Sequence, residues 1–237
     1  MSWFDTMKRN LRIGDQSEAP GGIWVKCEEC GAILLKDRVA ENLWVVGSRV
    51  DLAAAEVELA AMPGRELLLR EKLRQQPLQF DYLLVDCPPS LGILTINALA
   101  AVDEVLIPLQ PHFLALHGLS KLLETIEWVA AGLNRQLKLC GVVVCMYDSG
   151  TRLAAEVSDD VEAFFRNAQQ RPNAWAGARV FQTRIRRNIR LAEAPSFAKS
   201  IFEYAPHSHG AEDYEALAAE IHGVTDGCVP PWRAGSR

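Results

Sequence analysis

Three short apolar runs, separated by stretches of helical period, constrain the fold of this chain more than any other feature. Tyr82-Leu83-Leu84-Val85, Val105-Leu106-Ile107 and the run from Leu139 to Met146 are continuous apolar stretches, the pattern of strands covered on both faces. Between the second and third, Leu116, Leu119, Leu123, Ile126, Ala130 and Leu133 recur every three or four residues and mark the inner face of a long helix. A helix after Thr151 is expected to turn Leu153, Val157, Val161 and Phe164 or Phe165 inward, and a last helix carries Tyr214, Leu217, Ala218 and Ile221. Strands alternating with helices at this spacing imply βαβ crossovers. The predicted class is therefore α/β, a parallel sheet with flanking helices.

With 237 residues, 49% of them hydrophobic and 23% charged, the chain has the composition of a globular protein rather than a disordered one. No stretch approaches the ~18 uncharged apolar residues of a membrane helix, and the opening MSWFDTMKRNLRIGDQ has no apolar core, so a cytoplasmic protein without membrane contact is expected. Twenty-five basic and 30 acidic residues leave a net charge of −5, which argues against a general polyanion binder. Any nucleic-acid contact then has to come from a local patch. Residues 179–190 supply one, with five arginines and no acid, although a solvated edge balanced by Glu193 and Glu203 explains the same letters.

The first 46 residues break the βα rhythm. Cys27 and Cys30, followed by Gly31, have the C-x-x-C-G spacing of a zinc knuckle, and they are the candidate metal ligands. A closed tetrahedral site needs four ligands, and no second such pair lies nearby. An unmetallated remnant, a zinc shared between two copies, and an intrachain site are the three readings. The expected organisation is a ribbon-like arm over residues 1–46, an α/β domain over 47–223 and a tail over 224–237.

The most informative segment is Asp81-Tyr82-Leu83-Leu84-Val85-Asp86-Cys87-Pro88-Pro89-Ser90-Leu91-Gly92. An aspartate closing an apolar strand puts a carboxylate where α/β sheets bind ligands, and in nucleotide hydrolases that residue orders the magnesium shell. The longer text YLLVDCPPSLGILTINALAAVDEVLIPLQPHFLALHGLSKLLETIE, with GVVVCMYDSGTRLAAEVSDDV and TRIRRNIRLAEAPSFAKSIFEYAPHSHGAEDYEALAAEI, resembles the ParA/Soj-type partitioning ATPases, relatives of the MinD division regulator. The resemblance spans roughly residues 44–222. It implies a P-loop NTPase-like fold, ATP and Mg2+ as ligands, a dimer, DNA and a ParB-like partner. It also implies Asp86 as a Walker B-like residue, Pro88, Met146, Asp148, Arg187 and Asn188 about the nucleotide, and Arg152, Arg187 and Arg190 on DNA. The family usually has proline where this chain has Arg186. Residues 1–45, through GGIWVKCEECGAILLKDRVAENLWV, resemble instead the zinc ribbon of the carboxyltransferase β subunit of acetyl-CoA carboxylase, without that ribbon's second C-x-x-C.

Partitioning ATPases open with a strand and a K-G-G-x-G-K-T P-loop, whose glycines let amides converge on phosphate and whose lysine neutralises it. No Gly-Lys pair occurs in the 237 residues, and the seven lysines, at 8, 26, 36, 72, 121, 138 and 199, lie outside any glycine-rich turn after an apolar strand. Those amino-terminal strands are thus expected to be missing. The implied function is that of a ParA-like homologue unable to hydrolyse ATP alone, binding DNA or a full-length homologue. Two other readings are an ATPase completed in trans by dimerisation and a carboxyltransferase-like zinc-ribbon protein. Loss of the P-loop strand is further expected to leave residues 82–85 with an unpaired edge, open to another chain.

Overall fold

The apolar run at residues 139–146 forms the middle of a parallel sheet. The computed structural model describes residues 24–26, 33–40, 43–47, 52–75, 80–112, 115–168, 174–175 and 177–223, and the chain divides into two units, Met1–Pro63 and Gly64–Arg237.

In the second unit, β5 (Lys138–Tyr147) pairs in parallel with β4 (Glu104–Leu109) on one side. Its other edge takes two short strands in succession, β6 (Arg179–Val180) beside Gly141 and Val142, then β7 (Ile185–Arg186) beside Cys145 and Tyr147. Val105 faces Leu139 while Leu106 faces Gly141, so Cys140 is an extra residue that shifts the in-out alternation by one. Leu139 and Val142 accordingly join one core cluster, and Cys140, Val143 and Cys145 the other. A Cβ on Gly141 would run into the carbonyl oxygen of Arg179, which explains why glycine stands where β5 meets β6.

The first cluster is covered by α3 (Ile93–Ala101), α4 (Ala115–Gly132) and α5 (Arg152–Ala168), the second by α8 (His209–Ile221). On α4 the expected face is the observed one: Leu119, Leu123 and Ile126 are buried, with Leu116, Ala130 and Leu133 packed against them. On α5, Val157, Val161 and Phe165 are buried, but Leu153 is exposed and so is Phe164. Both lie about a quarter-turn from the line through Ala154, Val157, Val161 and Phe165, at the margin of the helix face.

The last helix departs further from expectation. Its buried residues are Gly210, Ala211, Asp213 and Leu217, while Tyr214, Ala218 and Ile221 are exposed. Apolar spacing misplaces this face because two small residues and a carboxylate do the packing. Gly210 admits the Leu191 side chain, and Asp213 receives Arg186.

The clearest correction concerns residues 82–85, which are not a strand. They run outside every ladder, with Leu84 90% and Tyr82 59% exposed. Backbone pairing is what holds a strand, and among the described residues β4 pairs with β5 alone, so these residues have no ladder to join. The Tyr82 hydroxyl and His222 Nδ1 meet at 2.6 Å, tying the segment to the end of α8. Ahead of it, α2 (Leu68–Arg74) and its leading turn at Arg65–Leu67 are fastened to α3 through Asn97, whose side chain accepts from Leu69 N and donates to the Arg65 and Ile93 carbonyls.

The first unit holds an antiparallel sheet in the order β1 (Trp24–Lys26), β2 (Ile33–Ala40), β3 (Leu43–Val46), followed by α1 (Leu52–Leu59). Cys27 and Cys30 fall between β1 and β2, outside the described residues, as does the tail at 224–237.

Candidate functional site

The end of β5 is shaped by a bulge. Cys145 pairs with Ile185 and Tyr147 with Arg186, which leaves Met146 as an extra residue at φ 52°, in the left-handed region. A bulged residue in that region re-aims the strand at its edge, and a non-glycine residue there carries strain of about 1–3 kcal/mol, a feature concentrated at functional sites. Met146 is exposed. Asp148 follows, its Oδ1 accepting from Gly150 N at 2.9 Å and its carbonyl from the Thr151 hydroxyl at 3.0 Å, so a tight turn leads into α5 and Arg152.

The second half of the site is the turn after β7. Arg187 N donates to the Tyr147 carbonyl at 3.0 Å. Asn188 caps α6 (Ile189–Glu193), its Oδ1 accepting from Arg190 N at 2.8 Å. The structure thus brings Met146, Asp148, Arg187 and Asn188 together at the carboxyl end of β5, where α/β sheets place ligands.

Asp86 and Pro88 are exposed in the loop between residues 82–85 and α3, and neither makes a hydrogen bond or ion pair with that turn. Cys87 beside them is raised above the usual thiol range by burial, with the Asp86 carboxylate adding to the effect. A cleft of about 210 Å3 between α4 and α5, lined by Leu116, Leu119, Ser120, Asp160 and Phe164, contains none of these candidates.

The arginine cluster is less free than its letters suggest. Arg186 is bound to Asp213 and Glu212, Arg190 to Glu193 at 2.9 Å and Arg184 to Glu162 at 3.7 Å. Arg184 also lies over the Tyr147 ring, and Arg179 over Phe181 while donating to the Glu220 carbonyl. Of the five, Arg187 is the one with no such side-chain partner among the described residues, and it is exposed. Two acids in this constellation, Asp213 and Glu220, escape a sequence reading because they lie 27 and 37 residues from the groups they bind. Among the described residues no group of three or more His, Cys, Asp or Glu side chains is placed to hold a metal ion.

Residues 20–139 match the family model described as an AAA domain, a span that includes Cys27 and Cys30. The chain is 42% identical over 219 residues to the chromosome partitioning protein ParA of Myxococcus xanthus, covering 87% of this chain and 74% of that protein. This chain belongs to the ParA/Soj family of partitioning ATPases. The sporulation initiation inhibitor protein Soj of Bacillus subtilis is 43% identical over 188 residues, with 79% of this chain and 70% of Soj covered. Among solved structures, cobyrinic acid a,c-diamide synthase from Mycobacterium smegmatis with bound ADP and magnesium is 30% identical, with a TM-score of 0.57 over 87% of this chain and 69% of that one. The α/β sheet with flanking helices is therefore the P-loop NTPase-like fold of a ParA/Soj homologue.

Proposed function

We propose that this ParA/Soj homologue does not hydrolyse ATP by itself and works by binding DNA or a full-length homologue. The observation that carries this reading is the state of residues 82–85, which stand outside the sheet and leave Asp86 in an exposed loop. Together with the lack of any Gly-Lys pair in the sequence, it leaves a triphosphate without amides and a lysine to hold its charge. The residues at the end of β5 and after β7 suit the adenine side of a nucleotide. Among the described residues the donor set for the phosphates and Mg2+ does not fit.

A second reading is favoured by the same exposed segment: another chain supplies the missing strand and completes an ATPase in trans. Phosphate release measured on the chain alone, and on the chain mixed with a full-length partitioning ATPase whose own lysine is removed, separates the two. Our proposal expects background rates in both; turnover only in the mixture establishes completion in trans, and turnover by the chain alone overturns both readings.

DNA contact is assigned to Arg187, with Arg152 and Arg190 flanking it, and the further partner to a ParB-like protein, as the relatives' role in chromosome partitioning suggests. No described helix is long and apolar enough to cross a membrane, and a cytoplasmic site of action is part of the proposal. For Cys27 and Cys30 the leading reading is an unmetallated remnant; zinc content per purified chain tests it, with none expected, whereas about one zinc per two chains establishes a site shared between copies.

A further inference from the structure

At the end of β7, Arg186 is bound through both its backbone and its side chain to one buried carboxylate. Its N–H donates to Asp213 Oδ2 at 2.8 Å, Nε lies 3.0 Å from both Asp213 oxygens, and Nη2 is 2.6 Å from Oδ1. Asp213 is 7% exposed, in the early part of α8, and Glu212 adds a longer contact at 3.4 Å. Proline fixes φ and removes the N–H donor. Arginine does neither, so the strand before the turn would be freer and would carry a donor in need of a partner. The forked, charge-assisted contact with Asp213 satisfies that donor and restrains the residue at the same time.

We propose that the Arg186–Asp213 pair is the positioning device for the Arg187–Asn188 turn. Three successive residues are tied to three different elements: Arg186 to α8, Arg187 N to the end of β5, and Asn188 to the start of α6. With those ties made, the exposed Arg187 guanidinium is the one in the turn without a side-chain partner among the described residues. The pair therefore aims Arg187 and adds no free positive charge of its own. The ligand it serves is the phosphate backbone of DNA, and that part rests on the function proposed above.

The sign of the effect distinguishes positioning from simple electrostatics. Asp213→Ala removes a negative charge, which by charge alone strengthens DNA binding. Positioning predicts the opposite. Hydrogen exchange on the full chain should quicken at least tenfold at Arg187, Arg190 and Leu191 in Asp213→Ala while β5 stays protected, and affinity for a non-specific duplex should fall at least fivefold. The double variant Arg186→Pro with Asp213→Ala, equal in net charge to the natural chain, should restore both. Unchanged exchange at 187–191 in Asp213→Ala, tighter DNA binding by that variant, or no recovery in the double variant overturns the proposal. If the natural chain binds no duplex, the DNA reading fails, and exchange and its rescue alone decide whether the pair positions the turn.

Discussion

At the scale of single residues, the fold accepts local strain in two places and removes it elsewhere with side-chain caps. Ala198 closes the turn Ala194–Phe197 in the left-handed region, at φ 52° and ψ 39°. An L-residue there costs about 1–2 kcal/mol relative to glycine, so Ala198→Gly should raise stability by roughly 1 kcal/mol in urea unfolding. Glu220 works the other way. Burial alone would raise its pKa, but the amides of Gln182 and Thr183, at 2.8 and 2.9 Å, outweigh it and hold the carboxyl below its ordinary range. A carboxylate depressed in the folded state contributes stability above its unfolded pKa of about 4.3 and loses it as pH falls through the folded value. Glu220→Gln should therefore cost roughly 1 kcal/mol at pH 7, with the deficit against the natural chain shrinking in acid unfolding titrations. For Arg187, one lost phosphate contact should lower the slope of log affinity against log salt by about 1 in Arg187→Ala, with little change in stability.

At the scale of elements, legibility followed the source of each element's burial. The face of α4 could be read because leucine and isoleucine at helical spacing carry it. β4 and β5 are apolar runs that find ladders, and they appear where apolar continuity places them. The face of α8 could be read only at Leu217, because Gly210, Ala211 and Asp213 set the rest of it, and their partners Leu191 and Arg186 are distant in sequence. The candidate site was half legible in the same sense. Residues 146–148 and 187–188 meet because β7 pairs with β5, whereas the demand that Asp213 and Glu220 place on the basic segment has no local signal. Residues 82–85 have the apolar letters of a strand and no ladder, since a strand is specified jointly with its neighbour. An apolar extended segment so exposed is a template for association. Leu84→Lys should thus lower self-association in sedimentation velocity at micromolar concentration and leave thermal stability unchanged within about 0.5 kcal/mol.

At the scale of the whole molecule, the function proposed above separates the ParA/Soj body from the means of gripping a triphosphate. The parallel sheet, the helices on its two faces and the turn after β7 are present among the described residues. No Gly-Lys pair, on which a phosphate-gripping loop of this kind depends, occurs in the 237 residues. A charge of −5, with one arginine of its basic segment lacking a side-chain partner among the described residues, fits the weak, partner-dependent DNA contact proposed above. Calorimetric titration of the purified chain with Mg-ATP tests this most directly: the account predicts no saturable heat up to millimolar nucleotide, and a stoichiometric isotherm with a micromolar Kd would contradict it.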